Sequence, residues 1–185
     1  MLVLAASAQN GPEFKYPLDT MKYRGASEFS HIAIHVSSLE RSLEFYAGRL
    51  GLEVLTEFVE EGESARAAIG YPDAVLNLAM LRLPGTQAIM EVIEVQNVPG
   101  TPINPEQANP GTCHICFYVD DLDATWAELE AFGSDMVSTG IIDLTEGPLE
   151  GGKVVFLKDP DGIRIELLQA DLSLPDAVLA DTSTG

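Results

Sequence analysis

The sequence predicts an α+β fold made of two βαβββ modules, and three observations carry that prediction. The segment His31-Ile-Ala-Ile-His35-Val-Ser-Ser-Leu-Glu returns 83 residues later as His114-Ile-Cys-Phe-Tyr118-Val-Asp-Asp-Leu-Asp. Each copy reads as an alternating strand that runs into a helical period. The stretch between the modules, 97–112, holds four prolines, three asparagines and two glycines without periodicity, which marks it as a linker. The chain has only three histidines, and two of them open the matched segments, so a packing accident is a poor explanation for the repeat.

Residues 1–29 contain Gly11, Pro12, Pro17 and Gly25 and read as an irregular N-terminal arm. The first module, 30–96, begins with a strand over 30–36. Ser37 followed by Glu40 has the spacing of a capping box, and Leu39, Leu43, Tyr46 and Leu50 recur at helical spacing until Gly51. A strand over 52–59 follows, then a charged loop at 60–65 and a turn at Gly70-Tyr-Pro-Asp73. Strands over 74–83 and 87–95 are joined through Pro84-Gly85.

The second module, 113–170, repeats the order. A strand covers 113–119, Asp120 is the expected helix cap, and Leu122, Trp126, Leu129 and Phe132 form the helix face. A strand near 135–138 leads into an acidic, glycine-rich loop at 146–152. Strands over 153–158 and 163–168 close the module around the turn Asp159-Pro-Asp-Gly162, and 171–185 reads as a polar tail. Each module alone leaves one sheet face bare, so each requires a partner surface.

The composition narrows the function classes. With 29 acidic against 10 basic residues the formal charge is −19, which repels polyanions and argues against nucleic acid as a partner and against anionic membrane surfaces. No apolar run approaches the roughly 20 residues of a spanning helix. The opening Met1–Gln9 lacks the basic start and the apolar length of an export signal. Cys113 and Cys116 are the only cysteines. They lie three apart in an expected strand and so on opposite faces, which predicts two buried thiols in a reducing, cytoplasmic compartment.

The chemistry follows from matching places in the modules. Glu91 and Glu166 stand in the last strand of each, 60 and 52 residues after His31 and His114. If the modules pair about a pseudo-twofold axis, His31, Glu91, His114 and Glu166 converge as two nitrogen and two oxygen donors. That set suits one divalent metal ion per site, Zn, Ni, Co, Mn or Fe(II). Strand parity puts His35 and Tyr118 on the same faces as the ligands, an imidazole and a phenol that can act as an acid/base pair. Cys116 shares that face as a small apolar filler. Ile93 and Leu168 are expected as apolar wall, and Arg164 as either an anion contact or a salt-bridged rim residue.

These motifs resemble the vicinal-oxygen-chelate superfamily, which includes glyoxalase I, methylmalonyl-CoA epimerase, extradiol dioxygenases and bleomycin-resistance proteins. The resemblance runs from residue 30 to 170. It is carried by His31-Ile-Ala-Ile, Ser42-Leu-Glu-Phe-Tyr46, Leu50-Gly-Leu-Glu-Val54, Glu91, His114, Val119-Asp-Asp-Leu122 and Asp159-Pro-Asp-Gly-Ile-Arg-Ile-Glu166. It implies modules that pair into a half-open, cup-shaped eight-stranded sheet around a metal site, with His31, Glu91, His114 and Glu166 as ligands.

The resemblance further implies a metal-dependent lyase or isomerase acting on a small carbonyl substrate, with Glu91, Glu166 or His35 as base and Tyr118 as proton donor, and a homodimeric assembly. A non-haem iron dioxygenase of aromatic substrates, using His31, His114 and Glu166, is the second expectation. A metal-free ligand-sequestering resistance protein is the third. Bacterial glyoxalase I carries an Arg four residues after its first His and an Asn four after its first Glu, both holding glutathione. Here those places are His35 and Val95.

Overall fold

The computed structural model describes residues 29–147 and 149–170. The expected arm up to residue 28, and with it the reading of Met1–Gln9, and the expected tail from 171 lie outside the described residues. Two compact units are resolved, with the division between Ile103 and Asn104.

In the first unit, strands β1 (His31–Val36), β2 (Glu53–Glu60), β3 (Val75–Arg82) and β4 (Ile89–Gln96) form one sheet in the order β1-β4-β3-β2. β1 runs parallel to β4 and the other pairs are antiparallel. The parallel pair needs a long crossover, and helix α1 (Leu39–Tyr46) lies within it. Ser38 caps α1, its hydroxyl accepting the Arg41 N–H at 3.3 Å, so the cap sits one residue beyond the expected Ser37. The helix also ends a turn earlier than its apolar period suggests. It buries Ser42, Phe45 and Tyr46, while Leu39 and Leu43 are only half-buried.

The charged stretch expected as a loop at 60–65 instead leads into a helix, α2 (Glu63–Ile69). Gly70 ends it at φ 77°, and Arg66 Nε donates to the Ala74 carbonyl at 3.0 Å, tying the helix to the strand that follows. A tertiary contact of this kind carries no helical period, which is why the pattern missed it.

The second unit repeats the crossover: β5 (His114–Tyr118) runs parallel to β9 (Arg164–Gln169), with α3 (Leu122–Ala131) between them in the chain. Strands β6 (Asp135–Met136), β7 (Ile142–Asp143) and β8 (Lys153–Lys158) complete a five-stranded sheet of order β5-β9-β8-β6, with β7 pairing β8. The added two-residue β7 makes nine strands among the described residues against the eight expected. Asp121 rather than Asp120 caps α3, accepting the Ala124 N–H at 2.9 Å. Phe132, expected on the buried helix face, is the residue after the last turn and is 60% exposed.

Alternation divides each sheet into two faces. In the first unit Ile34, Val36, Met90, Val92, Ala79 and Leu81 are buried on the face shared with Phe45 and Tyr46 of α1. In the second, Ile165, Leu167, Val155 and Leu157 are buried on the face shared with Leu122 and Leu129 of α3. Helices α1 and α3 therefore claim one face of each sheet, and the candidate ligands project from the other, where Ile69 of α2 also packs against the cluster around Ile93 in the first unit. Among the described residues no helix is long and apolar enough to cross a membrane.

Candidate metal centre

On the face of the first sheet opposite α1, Ala33 is the register partner of Glu91, placing His31, Ala33 and His35 alongside Glu91 and Ile93. His31 Nε2 lies 3.6 Å from Glu91 Oε2, and the Glu91 side chain is 14% exposed. The second unit has the same construction: Cys116 is the partner of Glu166, and His114 Nε2 lies 3.0 Å from Glu166 Oε2. The His114 ring packs edge-on against Phe156 at 5.7 Å between centroids.

Each imidazole is also engaged at its other nitrogen. Ser30 Oγ lies 3.0 Å from His31 Nδ1, and Gln107 Nε2 lies 3.4 Å from His114 Nδ1. A metal on Nε2 requires the proton on Nδ1 and an acceptor facing it. The Ser30 hydroxyl can accept, and Gln107 does so once its amide is turned to present the oxygen. Neither residue was picked out from the sequence, although Ser30 adjoins His31 and was open to that inference. Imidazole nitrogens steered from behind, each beside a carboxylate, fit the donor chemistry of a divalent metal.

Each unit holds one two-residue pair: among the described residues no group of three or more His, Cys, Asp or Glu side chains is gathered closely enough for a metal ion. The two glutamates also differ in their surroundings. The Cys116 thiol lies beside Glu166, and partial desolvation followed by the Glu166 charge pushes the thiol up to about 12. Both cysteines are exposed and unpaired with each other, so the expectation of two buried thiols is wrong; Cys113 falls just before β5. Nor is Cys116 a mere filler, because its neighbour across the parallel register is a carboxylate.

Arg164 shares the ligand face and pairs with Glu106 from the linker, as does Lys158 at 3.2 Å. Glu106 is held below the usual carboxylate range by these two cations, Arg164 first. The Arg164 Nε is buried with no hydrogen-bond partner. His35 is exposed, and Tyr118 is 46% exposed beside a cavity of about 300 Å³ lined also by Val119, Asp120 and Lys153. Ile93 and Leu168, expected as wall, are buried at 7% and 4% exposure. Val95 packs against the cluster of Ala74, Leu76, Leu78 and Ile93. A larger groove of about 520 Å³ between α1 and strands β2 and β3 contains no histidine and lies away from the ligand face.

Glu94 is part-buried and accepts the Leu39 N–H at the start of α1 at 3.0 Å. Gln169 does the same for Leu122 of α3 at 2.7 Å. Both stand three residues beyond a candidate ligand, so each last strand presents its glutamate on one face and anchors its module's helix from the other.

Comparison with known proteins matches residues 28–167 to the family model described as the Glyoxalase/Bleomycin resistance protein/Dioxygenase superfamily. A lactoylglutathione lyase of Pseudomonas aeruginosa is 31% identical over 157 residues, covering 78% of this chain and 84% of that one. A 2-epi-5-epi-valiolone epimerase from Actinomyces sp is 27% identical over 154 residues, covering 82% and 84%. Among solved structures, a glyoxalase family protein from Bacillus cereus superposes with a TM-score of 0.70 at 21% identity, covering 81% of this chain and 98% of that one, a likeness of fold. The βαβββ topology in both units, the His–Glu pair in each and the extent of the match lead to one conclusion: the chain belongs to the Glyoxalase/Bleomycin resistance protein/Dioxygenase superfamily.

Proposed function

We propose that this protein is a metal-dependent lyase or isomerase that moves a proton next to the carbonyl group of a small substrate. The observation that carries the proposal is the repeated pair, His31 with Glu91 and His114 with Glu166, each on the sheet face opposite α1 or α3 with the imidazole Nε2 turned to the carboxylate. The modules over 30–96 and 113–170 contribute one pair each, and the proposed ligand set would be their two nitrogen and two oxygen donors.

These four residues would hold a divalent ion, which would supply positive charge to stabilise the negative charge developing on the substrate carbonyl oxygen. The remaining chemistry belongs to the chain. A carboxylate of the site, or His35, accepts the proton from the carbon beside the carbonyl. Tyr118, on the same strand face as His114, returns a proton to the neighbouring carbon. The names of the Pseudomonas lyase and the Actinomyces epimerase support proton transfer as the shared chemistry.

Glutathione is not the proposed carrier. The two places that hold it in bacterial glyoxalase I are His35, which lacks a guanidinium, and Val95, which lacks an amide and packs in an apolar cluster. The proposed substrate is a small enolisable carbonyl compound without that tripeptide, and the working assembly a cytoplasmic homodimer.

Metal analysis of the purified protein, followed by proton exchange of candidate carbonyl compounds in heavy water, tests the proposal. One tightly bound divalent ion per site and metal-dependent exchange are the expected results. Oxygen uptake with catechol-type compounds instead would favour the iron dioxygenase reading. Full metal content in His31→Ala and Glu166→Ala proteins would sink the ligand assignment.

A further inference from the structure

Three side chains stand in one row across the second sheet. His114 of β5 is the register partner of Arg164 on β9, and Arg164 is that of Lys158 on β8. Arg164 has the parity of Glu166, so the row lies on the ligand face, one strand from His114 and about 7 Å along β9 from Glu166. A chain with 29 acidic and only 10 basic residues has set two of its cations side by side here. Like charges in adjacent register positions repel unless an anion lies between them.

Glu106 is that anion in this structure. Its oxygens are divided between the cations, Oε2 accepting from Arg164 Nη2 and Oε1 from Lys158 Nζ at 3.2 Å. A carboxylate that faces arginine squarely takes two parallel N–H bonds, whereas Glu106 gives Arg164 a single oxygen. The Arg164 Nε is the one buried side-chain nitrogen or oxygen without a hydrogen-bond partner among the described residues, and the side chain is 11% exposed. That burial excludes a simple rim residue. Leaving such a donor unmet costs free energy, and an oxyanion free to approach both edges of the fork would recover it.

Glu106 is also replaceable. Its side chain is 46% exposed, and an exposed carboxylate in ion pairs is weakly held. Its backbone is fixed separately, the N–H donating to Asn104 Oδ1 at 3.1 Å and the carbonyl accepting the Asn109 N–H at 2.9 Å. The carboxylate can therefore leave by turning about its side-chain torsions while the linker stays in place.

We propose that Arg164 and Lys158 form an oxyanion-binding subsite, occupied by Glu106 until a carboxylate or phosphate group of the substrate displaces it. The inference deepens the function proposed above and rests on it for the reaction: the substrate is a small enolisable carbonyl compound that bears an anionic group a few bonds from the reacting carbon. No covalent bond changes in the exchange. Glu106 turns to solvent, and the entering group takes the Nε and Nη donors of Arg164 with the Lys158 ammonium beside it.

Titration of the full-length protein with malonate and with inorganic phosphate, followed by NMR at the backbone amides of β8 and β9, tests the subsite. Binding is expected, and the tighter of the two anions identifies the substrate group as carboxylate or phosphate. Glu106→Gln should tighten binding about 5-fold, as suits removal of a competing exposed ion pair. A gain of this kind cannot come from a misfolded variant. Arg164→Gln should weaken binding at least about 10-fold through loss of the charge-assisted fork. Arg82→Gln, which removes a cation from the other unit, should leave it unchanged.

Binding no tighter in Glu106→Gln than in the parent would overturn the inference, as would binding that Arg164→Gln leaves intact or that Arg82→Gln weakens equally. Failure of both anions to bind Glu106→Gln would overturn it too, reducing the three charges to a tie between linker and sheet. Anion binding that follows Arg164 and Glu106 in a protein without bound metal would uphold the subsite while sinking the metal-dependent reading, so the two failures are distinguishable.

Discussion

The Asp159 carboxylate accepts the backbone N–H of Ile163 at 2.7 Å, and the same oxygen accepts that of Asp161 at 2.9 Å. With the Gly162 N–H on the Asp159 carbonyl at 3.0 Å, these bonds close the turn between β8 and β9 while Asp159 itself is 4% exposed. The turn sets the register of β9, and with it the place of Glu166 opposite Cys116.

Removing that carboxylate should therefore act at a distance from the candidate ligands. Asp159→Ala leaves two part-buried N–H groups without their acceptor, and a loss of about 2 kcal/mol is expected in urea unfolding. Asp159→Asn keeps an acceptor and should lose less than half as much. Equal losses in the two variants would show that the charge, rather than the turn, matters at this position.

Glu94 and Gln169 offer a comparison within one chain. Glu94 is held below the ordinary carboxylate value of 4.5, first by the Gln96 amide and then by the Leu39 N–H. A carboxyl group whose folded pKa is lowered stabilises the fold above its unfolded pKa, and that contribution disappears as pH falls through the folded pKa. Glu94→Gln copies Gln169, retaining an acceptor for Leu39 while removing the titration. Its stability relative to the parent should be lower at pH 7 and should approach the parent's as pH falls through the lowered pKa of Glu94. Thermal melts across pH measure this, and a difference that stays constant over the range would refute it.

The ligand assignment predicts a graded loss of metal. His114→Ala and Glu166→Ala should each lower affinity by at least about 100-fold, since each removes a direct donor. Arg82→Ala breaks the Glu53 pair on an exposed stretch and should leave metal content unchanged. Elemental analysis after dialysis distinguishes the two groups of variants.

His35 and Tyr118 separate binding from chemistry. Neither belongs to the proposed ligand set, so His35→Gln and Tyr118→Phe should keep parental metal content. A proton donor or acceptor contributes about 100- to 10,000-fold to rate, and the more important of the two should show a loss of that size in proton exchange. Loss of metal in either variant would move that residue into the ligand set instead.

Much of this arrangement is legible in the sequence because it is periodic. The repeat at His31 and His114, the alternation of the strands and the distance to each glutamate depend on local pattern, and they specify two βαβββ modules and the face each ligand occupies. Features that arise between elements have no such pattern. The helix at Glu63–Ile69, the caps supplied by Glu94 and Gln169, and the exposure of Phe132 depend on which surfaces meet. The local sequence leaves those meetings open.

The fifth residue of the repeat illustrates the division. His35 and Tyr118 are visible as a departure from symmetry in the sequence alone. The departure at Ala33 and Cys116 becomes a difference beside the two glutamates only when β1 lies beside β4 and β5 beside β9. Sequence alone determined the modules, the candidate ligands and the family, because recurrence along one chain carries that information. Tertiary structure decided what each ligand touches, because hydrogen-bond partners are set by strand register between segments about 50 residues or more apart, a distance beyond the reach of any local period.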